Sequence, residues 1–219
     1  MKLLTHLFSG FMICLLSLIG FSSIAILVNG QKLSQFDQVL ISSIQGLESP
    51  TLTLVMKFFT FIGSFPSVFV ISLCAALFLY FVLKHRAELI LFGSVMIGTP
   101  IINQILKHFF HRARPDLHRL IEAGGYSFPS GHAMNAFAVY GIIAFLLWRH
   151  IPSHLGRTIL ILISSGFIFM IGTSRIYLGV HYPSDIIGGY FASGFWLTMA
   201  IGFFQRYKER RSERMSLSD

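Results

Sequence analysis

The chain has 219 residues, 54% of them hydrophobic and 12% charged, with 23 phenylalanines, a composition that excludes an ordinary soluble domain and places it in the membrane class. The formal net charge of +8 would suit nucleic acid, but no basic face or binding module accompanies it; many basic residues flank apolar spans, where anionic lipid and the positive-inside bias account for them. The two cysteines, Cys14 and Cys74, lie inside hydrophobic runs, which argues against a disulfide framework.

The first apolar stretch, Leu7 to Val28, is at about 20 residues too long for a signal-peptide core and is predicted to remain as a span. Residues 29–64 form an outer amphipathic segment, with Leu33, Phe36, Val39, Leu40 and Ile44 at the spacing of an interfacial helix. The run from Thr51 to Leu83 is broken by "GSFP" at 63–66, so it is read as an interfacial piece followed by a second span from Pro66. A third span covers Glu88 to Phe109, with a potential kink at Pro100. The fourth opens at Pro129 and ends at Trp148, the fifth covers Thr158 to Thr173, and the sixth Ile186 to Phe204. The tail, 206–219, is too polar to cross. The expected fold is an all-α, polytopic membrane bundle of six transmembrane helices with short interfacial helices, forming one membrane-embedded domain over 1–219.

Six crossings place both termini and the loops near 84–87 and 149–157 on one side. Lys2, Lys84, Arg86, Arg149, Arg157, Arg206, Lys208, Arg210, Arg211 and Arg214 then share that side, ten of the 17 basic residues, which makes it cytoplasmic. Lys107, Arg112, Arg114, Arg119 and Arg175 crowd the other side against this bias, and intramembrane charge at a bundle end invites a functional reading.

Three outer segments share one chemical character: "KHFFHRARP" at 107–115, "PSGH" at 129–132 and "SRIYLGVHYPSD" at 174–185. Together they supply the inventory for handling a phosphate monoester without a metal. Lys107, Arg114 and Arg175 can neutralise phosphate oxygens, and the amides of Ser130, Gly131 and His132 would open the fourth helix toward an anion. His181 and Asp185 stand four residues apart, so the carboxylate can hold one ring nitrogen while the other attacks phosphorus. His132 then protonates the leaving oxygen and later activates water. His108, His111 and His118 lack the carboxylate or cysteine company of a metal site. Arg112 and Arg119 read as headgroup contacts, Tyr126, Tyr177 and Tyr182 as interfacial anchors, and the Gly188/Ala192 and Gly189/Ser193 pairs as helix-packing spacings.

Lys107, six residues, Arg114-Pro115; Pro129-Ser130-Gly131-His132; and Ser174-Arg175, five residues, His181, three residues, Asp185 resemble the three signature motifs of the type 2 phosphatidic acid phosphatase superfamily. The likeness extends to the six-span layout from about residue 7 to 205. It implies a cofactor-free, metal-independent phosphatase with a phosphohistidine intermediate. The expected substrate is a lipid phosphate, such as phosphatidylglycerophosphate, phosphatidic acid or undecaprenyl pyrophosphate, at the outer face of a bacterial plasma membrane. Phosphatidylglycerophosphatase B and the undecaprenyl pyrophosphate phosphatases are family members of this small type. A transporter using the basic cluster as an anion site, or a non-catalytic lipid-binding protein, remains the rival; neither needs the His181 and Asp185 pair.

Overall fold

The computed structural model describes the backbone of residues 2–84, 86–116 and 118–216, and the side chains of 9–84, 86–116 and 118–210. The side chains of Lys2, Arg211 and Arg214, counted above in the charge bias, lie outside that set. Eight α-helices follow in order: α1 (Lys2–Asn29), α2 (Ser34–Gln45), α3 (Pro50–Ile62), α4 (Phe65–Leu77), α5 (Arg86–Phe110), α6 (Gly131–Trp148), α7 (His154–Tyr177) and α8 (Pro183–Ser216). A π-helical turn, Phe78–Val82, continues α4. Long apolar windows in α1, in α4 with its π turn, and in α5 to α8 make six helices able to cross a membrane. The expected all-α bundle is therefore what the chain forms.

Local chemistry sets most of the boundaries. Ser49 caps α3 by accepting from the Leu52 amide, with Pro50 in the first turn, where a missing N–H costs nothing. Ser64 precedes α4, with Pro66 in its first turn, so "GSFP" is a helix junction as its residues suggest. Pro100 lies inside α5, which runs unbroken to Phe110. Ser153 caps α7 through the Gly156 amide, which starts that helix at His154 rather than Thr158, and α7 runs on to Tyr177. The polar tail does not leave the helix: α8 continues to Ser216, since Lys, Glu and Arg are good helix formers once in water.

The helices α2 and α3 meet at 120°. With 12 and 13 residues they reach roughly 20 Å at 1.5 Å per residue, too short to cross a core about 30 Å thick. The inward face of α2 differs from the expected apolar stripe. Phe36 and Val39 point outward, while Asp37 and Ile41 are buried. Apolar spacing marks a helix face without saying whether that face turns inward or outward.

Helix α8 is the central element, packed by α1, α5 and α6, with α7 against α6 and α3 against α7. One core, including Leu91, Phe92, Val95, Ala138, Ile142 and Leu197, joins α5, α6 and α8. A second, Ile41, Ala133, Ile176 and Ile186, lies where α2 meets the α6, α7 and α8 ends that carry the motifs. The small residues of α8 admit these neighbours. Ser193 donates to the Met134 carbonyl of α6, and a Cβ at Gly188 would lie 2.5 Å from the Phe128 ring. Phe128 is fully buried between Phe21 and Phe110, so it has little room to yield. Gly188→Ala should therefore destabilise the bundle by about 1–3 kcal/mol through overpacking. Gly202→Ala, where nothing lies within 4 Å, should hold or raise stability. Melting of both variants in detergent checks this; equal midpoints would show that the α8–Phe128 contact is loose.

Candidate active site

The spacing of the third motif has a local cause. Helix α7 ends in a Schellman arrangement: the Gly179 amide donates to the Ile176 carbonyl and the Val180 amide to the Arg175 carbonyl. Gly179 takes the left-handed conformation, φ +74°, that this turn requires. The turn reverses the chain, so that His181 comes back beside the end of α7 that carries Arg175. Helix α8 then starts at Pro183. The carboxylate of Asp185, in its first turn, reaches back to the Tyr182 amide at 2.9 Å, as in a capping box. The same Oδ2 atom meets His181 Nδ1 at 3.2 Å. The pair thus joins across the helix start, with His181 in the preceding turn rather than on the helix itself.

Both members of that pair are buried. The other ring nitrogen, Nε2, lies 2.9 Å from an Arg114 N–H. Guanidinium only donates, so Nε2 accepts and the proton sits on Nδ1, toward Asp185. Burial first, and then the cations Arg175, Arg114 and Lys107, push the His181 imidazole well below its ordinary range. Its lone pair is consequently present at neutral pH.

Arg114 is set into a cradle of carbonyls: Gly124, Gly125 and Val180 accept from it at 2.8 to 3.1 Å. Most of its N–H groups are thereby engaged, so its approach to a phosphate would be through charge more than through a full fork. Arg175 is buried, donates to the Thr60 hydroxyl of α3, and has an Nε–H without a partner among the described residues. Lys107, on the last turn of α5, and His132, on the first turn of α6, both lie within electrostatic reach of Arg114 and Arg175. The three motifs therefore meet at one end of the bundle.

Ser130 behaves differently from the expectation that its amide would face an anion. That amide donates to the Asp185 carbonyl, and its hydroxyl caps α6 by accepting from Ala133. Asn103 of α5 steadies the same loop, donating to the Pro129 carbonyl at 3.0 Å. Gly131 packs against the Asn103 side-chain oxygen, which lies 3.0 Å from where a Cβ would stand. The amides of Gly131 and His132 occupy the helix's first turn, where the backbone supplies no acceptor.

Three further readings change. Arg112 is no headgroup contact: it bridges Asp185 at 2.6 Å and Asp37 at 2.8 Å. Arg119 bonds the Pro115 carbonyl and pairs with Asp116 within its own loop. Tyr177 is buried, and its hydroxyl meets Thr53 at 2.8 Å, so it ties α7 to α3 rather than anchoring in an interface. Asp37 went unnoticed in the sequence, where one acid on an amphipathic helix reads as solvated. Among the described residues no group of three or more His, Cys, Asp or Glu is placed to hold a metal ion. A cavity of about 1090 Å³ opens between α1, α6, α7 and α8 toward Glu88, Arg149 and Lys208, but it holds none of the motif residues.

Phosphatidylglycerophosphatase B of Bacillus subtilis is 30% identical over 196 residues, covering 88% of this chain and 95% of the relative. A lipid A 4'-phosphatase of Bacteroides thetaiotaomicron is 28% identical over 185 residues, covering 75% and 76%. The crystal structure of a transmembrane PAP2-type phosphatidylglycerolphosphate phosphatase from Bacillus subtilis superposes with a TM-score of 0.80 at 26% identity, covering 90% of this chain and 96% of that one. Residues 88–209, which contain all three motifs, match the PAP2 superfamily. The chain is a multi-pass membrane hydrolase of phosphate esters and belongs to the PAP2 superfamily.

Proposed function

We propose that this protein removes the terminal phosphate of a membrane lipid through a phosphohistidine on His181, without a metal ion. The observation that carries the reading is the orientation of His181: Asp185 takes Nδ1 and turns Nε2 toward the cations, where Arg114 holds its lone pair at 2.9 Å until a phosphate oxygen draws that N–H away. Attack of Nε2 on phosphorus forms the P–N bond and breaks the ester P–O bond. His132 gives the departing alkoxide a proton that it takes up as the phosphate's negative charge enters the site. Asp185 stabilises the positive charge that the phosphorylated imidazole carries. Neutral His132 then takes a proton from water, whose oxygen attacks phosphorus and releases inorganic phosphate and free His181. Arg175, Lys107 and the Gly131 and His132 amides balance the charge on the equatorial oxygens, Arg114 adds its charge beside them, and Ser130 holds the α6 start in place. The unpartnered Arg175 Nε–H is a donor that a phosphate oxygen would satisfy.

The likeness to phosphatidylglycerophosphatase B over nearly its whole length favours phosphatidylglycerophosphate as substrate. Phosphatidic acid and undecaprenyl pyrophosphate present the same terminal phosphate chemistry. Purified protein in detergent should release inorganic phosphate from at least one of these lipids, and EDTA should leave the rate unchanged. Loss of activity on chelation, restored by magnesium or zinc, would reject a reaction run by side-chain cations alone.

The charge bias supports an orientation with the motifs outside and both termini inside, and the bacterial relatives support a plasma membrane; we read the chain as one unit. Glu122, exposed in the loop between α5 and α6, and His154, exposed where α7 begins, lie at opposite ends of α6. In a background lacking Cys14 and Cys74, Glu122→Cys should react with an impermeant thiol reagent on intact cells, and His154→Cys only after lysis. The reverse pattern would turn the protein over in the membrane.

A further inference from the structure

The shared carboxylate of Asp185 is itself held from behind, by residues that none of the three motifs includes. Arg112 donates to Asp185 Oδ1 at 2.6 Å through one arm of its guanidinium and to Asp37 Oδ2 at 2.8 Å through the other. Asp37 in turn accepts from the Ser184 amide at 2.9 Å with Oδ1 and meets the Ser184 hydroxyl at 2.6 Å with Oδ2. That hydroxyl also accepts from Arg112 at 2.8 Å. The Arg112 guanidinium lies 4.0 Å from the centre of the Tyr182 ring, which limits its motion further. Both carboxylates are almost wholly buried, and Arg112 is largely so.

This arrangement does two physical jobs. Asp37, a residue of α2, acts as the N-terminal cap of α8 supplied from another helix: it satisfies the amide of Ser184, one residue before Asp185. Arg112 fixes the second oxygen of Asp185, so the carboxylate plane is set by contacts on both edges, with Arg112 on one and His181 and Tyr182 on the other. Buried ion pairs of this kind contribute little net stability, because desolvation offsets their attraction. Their product is geometry.

We propose that Asp37 and Arg112 are positioning residues for phosphoryl transfer, which hold the His181 imidazole through Asp185 and so make α2 part of the catalytic apparatus. The proposal rests on the reading of His181 as the nucleophile. Asp37 is approached by the Ser184 amide on one oxygen and by Arg112 on the other. An asparagine there would turn its NH₂ toward one donor or the other in either orientation, releasing Arg112 or the α8 amide. Arg112→Gln leaves Asp185 and Asp37 without the cation between them.

The test uses the full-length protein in a His132→Ala background, where breakdown of the phosphoenzyme is slow. Mixing with p-nitrophenyl phosphate, followed by a base quench, gives the rate of phosphohistidine formation; inorganic phosphate affinity and melting are measured on the same samples. Asp37→Asn and Arg112→Gln should each slow formation by about 10-fold to 100-fold, the scale for outer partners that orient a metal-bound histidine. The affinity for inorganic phosphate should stay within about threefold, because the phosphate clamp is untouched. Adding Asp37→Asn to Asp185→Asn should cost little more than Asp185→Asn alone, since both act on one carboxylate. If Asp37→Asn does not fold, Ser184→Ala carries the test, because it removes only the hydroxyl bridge; formation should slow by about threefold. Formation within twofold of the background in all three variants would overturn the proposal, as would additive losses with Asp185→Asn or a parallel loss of phosphate binding and melting cooperativity. Absence of any phosphoenzyme even in the His132→Ala background would instead reject the nucleophile itself.

Discussion

A carboxylate with no exposed surface, Asp185, is the point on which the other parts of this structure depend. Burying an isolated carboxylate is costly, so its two oxygens need partners with full or partial positive charge. They find four groups on or near three segments: Arg112, His181, the Tyr182 amide, and Arg114 acting through charge. The backbone carbonyl of the same residue accepts the Ser130 amide. One residue thus aligns the α8 start, the α6 start and the loop after α5, which carry or adjoin Arg114, the second motif, His181 and Asp185 itself. The bundle's small-residue packing along α8 brings these ends close enough for that to happen.

The α2–α3 hairpin is the second structural half of the site. It touches each side of the cluster once: Asp37 meets Arg112 and Ser184 behind the histidine, and Thr60 meets Arg175 among the cations. Between those contacts it is clamped to the rest of the bundle. Gln45 donates to the His118 and Tyr177 carbonyls, His118 pairs with Glu48, and Tyr177 meets Thr53. A short hairpin can hold such positions because its polar inner face is paired, while Phe36, Val39 and Leu54 are exposed on its outer face.

The spans were readable because hydropathy over about twenty residues is a one-dimensional signal that the bilayer enforces. The motif residues were readable for a related reason: each spacing is a local folding unit, as the Schellman turn between Arg175 and His181 and the capping box at Asp185 show. What escaped was contact between distant segments. Asp37 and Arg112 are 75 positions apart, and neither carries a local pattern that points to the other. A lone arginine beside apolar sequence looks the same whether it reaches a headgroup or a buried acid. The Ser130 amide was misread for a similar reason, since a helix start reads as an anion site until a carbonyl from elsewhere occupies it. The lengths of α7 and α8 were understated where capping and helix propensity, rather than hydropathy, set the ends.

The central claim is that His181 carries the phosphate, with Asp185 on the opposite ring nitrogen. Trapping the His132→Ala enzyme with ³²P-labelled p-nitrophenyl phosphate, whose leaving group departs without a proton, digesting it under alkaline conditions and locating the label tests this most directly. The account predicts a single phosphohistidine at His181, substituted on Nε2, because Nδ1 is held by Asp185. Label on another residue, or on Nδ1 of His181, would contradict it.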